Sequence, residues 1–135
     1  MSVPVPLRGK SGLTLLDLVM KLASYTLNIV NSEKRFPKRY RWCITSKIAN
    51  SAVEILNNVN MANEVYVVTK EDYKLRRRYQ KIALCETRSL LGMVDIATTT
   101  FNLQPSEKWV DMIKEVKNKI QQWVENDAKR YKDIV

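Results

Sequence analysis

The sequence predicts an all-α protein, an antiparallel up-down four-helix bundle, and three observations lead there. Glycine and proline are scarce, 3 and 4 in 135 residues, too few turn residues for a sandwich or a barrel. Apolar residues recur at the three-and-four spacing of amphipathic helices along most of the chain. The breaks in that pattern are short, so successive helices fold back on one another. A chain of this length fits one domain, and four packed helices bury enough apolar surface to fold without disulfides or metal.

The first helix is expected from about Leu13 to Asn31, with Leu15, Leu18, Val19, Leu22, Thr26 and Ile29 on its inner face; residues 1–12 read as an extended arm, leaving 13–132 for the bundle. Ser32 to Lys38 interrupts the pattern, and Pro37 disfavours helix at Phe36 while suiting the first turn of a second helix. On that helix, from Ile44 onward, Ile48, Ser51, Ile55, Val59, Ala62 and Tyr66 keep one face apolar for about six turns. A further stripe, Trp42, Ala49, Val53 and Leu56, lies about 120° round from it. A subunit contact or a second intramolecular neighbour would account for that stripe.

Thr69-Lys70-Glu71-Asp72 has a capping oxygen first and a carboxylate three residues later, close to a capping box, and starts a third helix that reaches about Phe101. Its apolar side holds Tyr73, Tyr79, Ile82, Ala83, Leu90, Leu91, Val94 and Ala97. Gly92 inside it costs about 1 kcal/mol against alanine and points to close helix packing. Asn102 to Ser106, with Pro105, forms the last turn, and Trp109, Ile113, Val116, Ile120 and Trp123 face inward from the fourth helix.

The formal charge is +9 and it is unevenly placed. Residues 1–88 carry 16 Lys and Arg against 7 Asp and Glu, whereas residues 89–135 carry 7 against 7. Such asymmetry is a localised field that attracts a polyanion. Its clearest expression is on the third helix, where Lys70, Lys74, Arg77, Lys81 and Arg88 repeat at intervals of four, three, four and seven and form a straight stripe about 150° from the apolar face. Arg76 and Arg78 diverge from Arg77 by about 100° each, Arg76 inward and Arg78 outward. A guanidinium on the inner side must be paired or sit at a subunit boundary.

A second basic cluster, Lys34, Arg35, Lys38, Arg39 and Arg41, surrounds Phe36, Tyr40 and Trp42. Cations for phosphates and flat rings for bases are what single-stranded nucleic acid requires, although aromatics at a helix start are more often core. No module for sequence-specific base readout is present.

Catalysis is not expected. Histidine, the commonest general base and zinc ligand, is absent. Glu107, Asp111 and Glu115 are spaced for surface salt bridges, and no phosphate loop or metal motif occurs, so no cofactor or metal is expected. Cys43 and Cys85, in largely apolar surroundings, read as reduced core thiols. No run of about 20 apolar residues occurs, and a soluble cytoplasmic protein without a membrane partner is expected.

Four predicted helices, Phe36-Pro37-Lys38 with Arg39 and Arg41 opening the second, Asn60-Met61-Ala62-Asn63 closing it, then Leu75-Arg76-Arg77-Arg78-Tyr79-Gln80 and Ala83-Leu84, resemble the Avd-like four-helix bundle proteins from about Leu13 to Asp127. That family includes the accessory variability protein of diversity-generating retroelements and is related to bundle proteins encoded in ribosomal RNA intervening sequences. The first branch implies a homopentameric barrel that does no chemistry itself. It binds the element's reverse transcriptase and template RNA or cDNA, through Lys38, Arg39, Arg41, Arg77, Arg78 and Lys81, and supports mutagenic copying. The second implies a structural, RNA-associated bundle without a polymerase. Trp123-Val124-Glu125-Asn126 stands where many retroelement members carry a Gly-Gly-Trp-like run.

Overall fold

The computed structural model describes residues 5–104 and 106–134, with side chains described from Leu15 onward. Four α-helices make up the described chain: α1 (Val5–Val30), α2 (Ser46–Glu64), α3 (Lys70–Phe101) and α4 (Glu107–Arg130). No strand occurs among the described residues. Each helix packs on two others: α1 on α2 and α4, and α3 on the same pair, the α2–α3 contact being the most extensive. The result is a four-helix bundle around Val19, Leu22, Ile48, Ile55, Ala83, Leu90, Trp109, Ile113 and Ile120, all buried.

The expected arm is corrected in part, because α1 begins at Val5 rather than Leu13. Pro6 does not prevent this: it stands in the first turn, where a backbone N–H has no intrahelical partner to lose. Residues 1–4 lie outside the described residues. The second helix also differs, since regular α geometry begins only at Ser46, after a 3₁₀ turn (Lys38–Tyr40) and a π turn (Arg41–Thr45). At its other end α2 stops at Glu64 and Val65 turns extended, so Tyr66 leaves the inner face to which its spacing assigned it and is exposed.

The capping box before α3 is formed: Thr69 Oγ1 accepts from the Asp72 N–H at 3.2 Å, and Asp72 Oδ2 accepts from the N–H groups of Thr69 at 2.9 Å and Val68 at 3.0 Å. The α3 terminus is Asn102, in the left-handed region at φ 54°, a conformation asparagine tolerates better than most residues. Gly92 is corrected: a Cβ there would meet nothing within 4 Å, so no packing inside the chain demands glycine.

Polar bonds join the helices where apolar contact alone would leave their relative positions loosely set. Trp109 Nε1 donates to Thr26 Oγ1 at 3.0 Å between α4 and α1, and Ser51 Oγ donates to Glu86 Oε1 at 2.8 Å between α2 and α3. Both Thr26 and Trp109 are buried, so each satisfies a group that burial would otherwise penalise. Between α3 and α4 the tie is ionic. Arg76 Nε donates to Asp127 Oδ2 at 2.6 Å, its Nη2 donates to Oδ1 at 3.2 Å, and Gln80 Nε2 donates to Oδ2 at 2.7 Å.

Candidate nucleic-acid interface

Two basic regions stand on this frame. The first is the outward side of α3. Lys70, Lys74, Arg78, Lys81 and Arg88 are exposed, and among the described residues no carboxylate pairs with any of them. Arg77 is half-buried, its Nη1 donating to the Tyr73 hydroxyl at 3.0 Å. Arg78 and Lys81 border a shallow depression of about 440 Å³ that is also lined by Ile82, Cys85, Glu86 and Ser89. Cys85 is exposed there, which corrects its assignment to the core: it follows Ala83 by two residues, and two residues on a helix turn a side chain about 200° away.

Arg76 faces the other way. Its side chain is 11% exposed and that of Asp127 is 3% exposed, and the guanidinium carbon also stands 5.2 Å from the Trp123 ring centroid and 5.9 Å from that of Tyr131. The inward arginine is thus paired within its own chain, which removes any need for a subunit boundary to satisfy its charge. Sequence reasoning found the arginine but missed Asp127, which lies 51 residues away and has no local signal except a carboxylate on the inner line of α4 below Ile120.

The second region is the entry to α2, where the chain leaves α1 through bonds from the Arg35 and Phe36 N–H groups to Ser32 O at 3.1 and 2.8 Å. Pro37, which has no N–H to contribute, then starts the 3₁₀ turn, its O accepting from Tyr40 N–H at 3.0 Å. Phe36 is driven into the core, 3% exposed, edge-on to Phe101 at 5.5 Å and to Trp109 at 6.2 Å. Tyr40 leans on Phe101 at 5.0 Å and carries the Arg39 guanidinium over its outer side at 5.0 Å. Lys38 and Arg41 lie 4.0 and 3.8 Å from Glu33 Oε1, exposed and long enough to hold little energy. Lys34, Arg35, Lys38, Arg39 and Arg41 are all exposed.

Of the stripe Trp42, Ala49, Val53 and Leu56, the structure half-buries Ala49 and Leu56 and leaves Val53 and Trp42 exposed, Trp42 at 81%. Cys43 beside it is exposed as well, its Sγ 3.6 Å from Tyr40 O, so the second cysteine also leaves the core.

The two basic regions are not one patch. Tyr40 packs on Phe101 at the end of α3, 13 residues beyond Arg88, about 20 Å along the helix axis. At that separation a small ligand cannot touch both regions at once. Comparison with protein-family models, with curated proteins and with solved structures finds no match.

Proposed function

We propose that the protein is a non-catalytic accessory subunit of a diversity-generating retroelement, which binds the element's reverse transcriptase and its template RNA or cDNA through the basic exterior and supports mutagenic copying. The observation that carries the binding half is the α3 stripe: Lys70, Lys74, Lys81 and Arg88 stand in solvent without a carboxylate partner among the described residues. Cations left free in this way release counterions to a phosphate chain on contact, which gives salt-dependent, sequence-tolerant affinity. The polymerase half rests on the resemblance to the Avd-like bundles.

The same reading takes the bundle as antiparallel and up-down, and as a homopentameric barrel in the cytoplasm. Met20 and Leu27 on α1, Val53 and Met61 on α2, and Leu75, Ile82 and Ile96 on α3 are exposed apolar side chains that such an assembly would cover. Light scattering on a sizing column tests it: five copies per particle is the expected mass, and a monomer at micromolar concentration overturns the barrel. A pull-down with a reverse transcriptase encoded beside the gene, together with RNA binding measured against salt, tests the function. RNA binding without polymerase capture, and a gene within a ribosomal RNA locus, would favour the intervening-sequence type of RNA-associated bundle.

A further inference from the structure

The basic entry to α2 brings three aromatic residues close together in sequence, and the fold treats them differently. Phe36 is buried against Phe101 and Trp109, and Tyr40 is half-buried against Phe101. Trp42 is 81% exposed and, among the described residues, shares in none of these ring contacts. Exposing an indole wastes more apolar area than exposing any other side chain, so its position calls for an occupant.

The backbone holds it there. The Arg41 N–H bonds to Lys38 O to close the 3₁₀ turn, and the Ser46 N–H bonds to Arg41 O across five residues to close the π turn. A π turn winds the chain more loosely than the α-helix that follows, so Trp42 is out of register with Ala49 and Leu56, which the bundle partly covers. Such turns are frequent at functional sites. Five of the eight residues that precede Trp42 are exposed cations: Lys34, Arg35, Lys38, Arg39 and Arg41. Glu33, itself paired loosely with two of them, is the nearby acid.

We infer that Trp42 is a stacking platform for an unpaired base of single-stranded nucleic acid, with Lys38, Arg39 and Arg41 on the neighbouring phosphates. The inference rests on the nucleic-acid reading above and gives it a preference, for unpaired over duplex strands. A ring face accepts any base, whereas bases within a duplex are already stacked on one another. A second copy of this chain is the poorer occupant, because docking on Trp42 would bring this cationic segment against a chain of net charge +9.

The test uses the full chain, Trp42→Ala and Trp42→Phe, with three probes: a mixed-sequence single-stranded RNA of about 12 nucleotides, the same sequence as a duplex, and heparin, a polyanion without bases. Alanine is expected to weaken single-strand binding by roughly 5- to 100-fold, to leave heparin and duplex binding within about twofold, and to keep the particle mass. Phenylalanine restores most of the loss. Tryptophan fluorescence of the full chain is quenched by the single strand and not by heparin, because Trp109 is buried and Trp123 lies half-buried under Arg76. Equal single-strand affinity for the full chain and the alanine variant overturns the platform while leaving the charge-based reading intact. A change of particle mass with alanine overturns it in favour of a contact between copies. Failure of the full chain to bind any of the probes in a salt-dependent way defeats the reading and the platform together.

Discussion

Arg76 and the cations on either side of it on α3 show two opposite uses of positive charge on one helix. Arg76 is enclosed between α3 and α4 by a two-point bond to Asp127 and by the rings of Trp123 and Tyr131, and Gln80 supplies a further donor to the same carboxylate. Lys74, Arg78 and Lys81, within a turn and a half of it, stand in water without a carboxylate partner among the described residues. Charge that is desolvated and paired fixes the fold, whereas charge left hydrated and unpaired is available to a partner. The difference is set by angle alone, since one residue along a helix is a rotation of about 100°.

The sharpest way to break this contrast is Asp127→Ala. It leaves a guanidinium 11% exposed with no counter-ion and strands the Gln80 donor, and the expected loss is about 3–5 kcal/mol of unfolding free energy, read from urea denaturation. Replacing the pair together, as Arg76→Met with Asp127→Leu, should recover most of that. A loss below about 1 kcal/mol for the single substitution would mean that water reaches Arg76 and that the two uses of charge are not distinct.

On the outer side the expectation reverses. Lys74→Glu, Arg77→Glu and Lys81→Glu together should change stability by no more than about 1 kcal/mol, mostly through the bond from Arg77 to Tyr73, because substitutions at hydrated surface positions are nearly neutral. RNA affinity should fall at least ~10-fold at physiological salt, and the slope of log affinity against log salt should shrink by about 2, three phosphate contacts at about 0.7 each. Unchanged RNA and polymerase binding would remove the functional meaning of the stripe.

How far the sequence could see this contrast depends on the range of the signal. Helical spacing put Thr26, Ser51, Trp109 and Ile120 on inner faces correctly, and the local pattern Thr69 to Asp72 announced its capping box, because periodicity and caps are written within a few residues. Arg76 was correctly turned inward, yet its partner Asp127 comes from another helix, and no local pattern announces such a pairing. Cys43 and Cys85 are exposed, because the apolar character of the surrounding segment says little about which way a helical residue points. Spacing groups Trp42 with Ala49, Val53 and Leu56 as one stripe, but it cannot show that the chain around Trp42 winds as a 3₁₀ turn and then a π turn.

A smaller effect sharpens the comparison from the start of α3, where an exposed charge has a structural task. The Asp72 carboxyl is held below its ordinary value of 3.8, first by the Thr69 N–H, then by the Val68 N–H and the Thr69 hydroxyl. A lowered folded-state value means that the box contributes fully at neutral pH and down to about that ordinary value, and that its contribution is lost as pH falls further through the lowered one. Thr69→Ala should cost about 1 kcal/mol at pH 7. In Asp72→Asn the pH-dependent part of the box should vanish, so that between pH 5 and about pH 3 the variant loses less stability than the parent. Parallel acid transitions in parent and variant would show that the carboxylate is not what holds the turn.

Gly92 gives the smallest effect and bears on whether the outer side of α3 is free in solution. It follows Arg88 by four residues and so extends the basic stripe by one turn, and a Cβ at that position would meet nothing within 4 Å. Glycine in an exposed helix interior is less favourable than alanine because the unfolded chain has more freedom to lose, so Gly92→Ala should raise unfolding free energy by about 0.5–1 kcal/mol. The same substitution separates two uses of the site. If the outer side only attracts a polyanion over a distance, the added methyl leaves RNA affinity and particle mass unchanged. If a partner's backbone closes onto α3 at this turn, the methyl obstructs it, and binding or assembly weakens while the isolated fold gains stability. Weakened binding or assembly beside a stabilised fold would show that the outer side is covered in solution, and the division between enclosed and available charge would have to be redrawn one turn beyond Arg88.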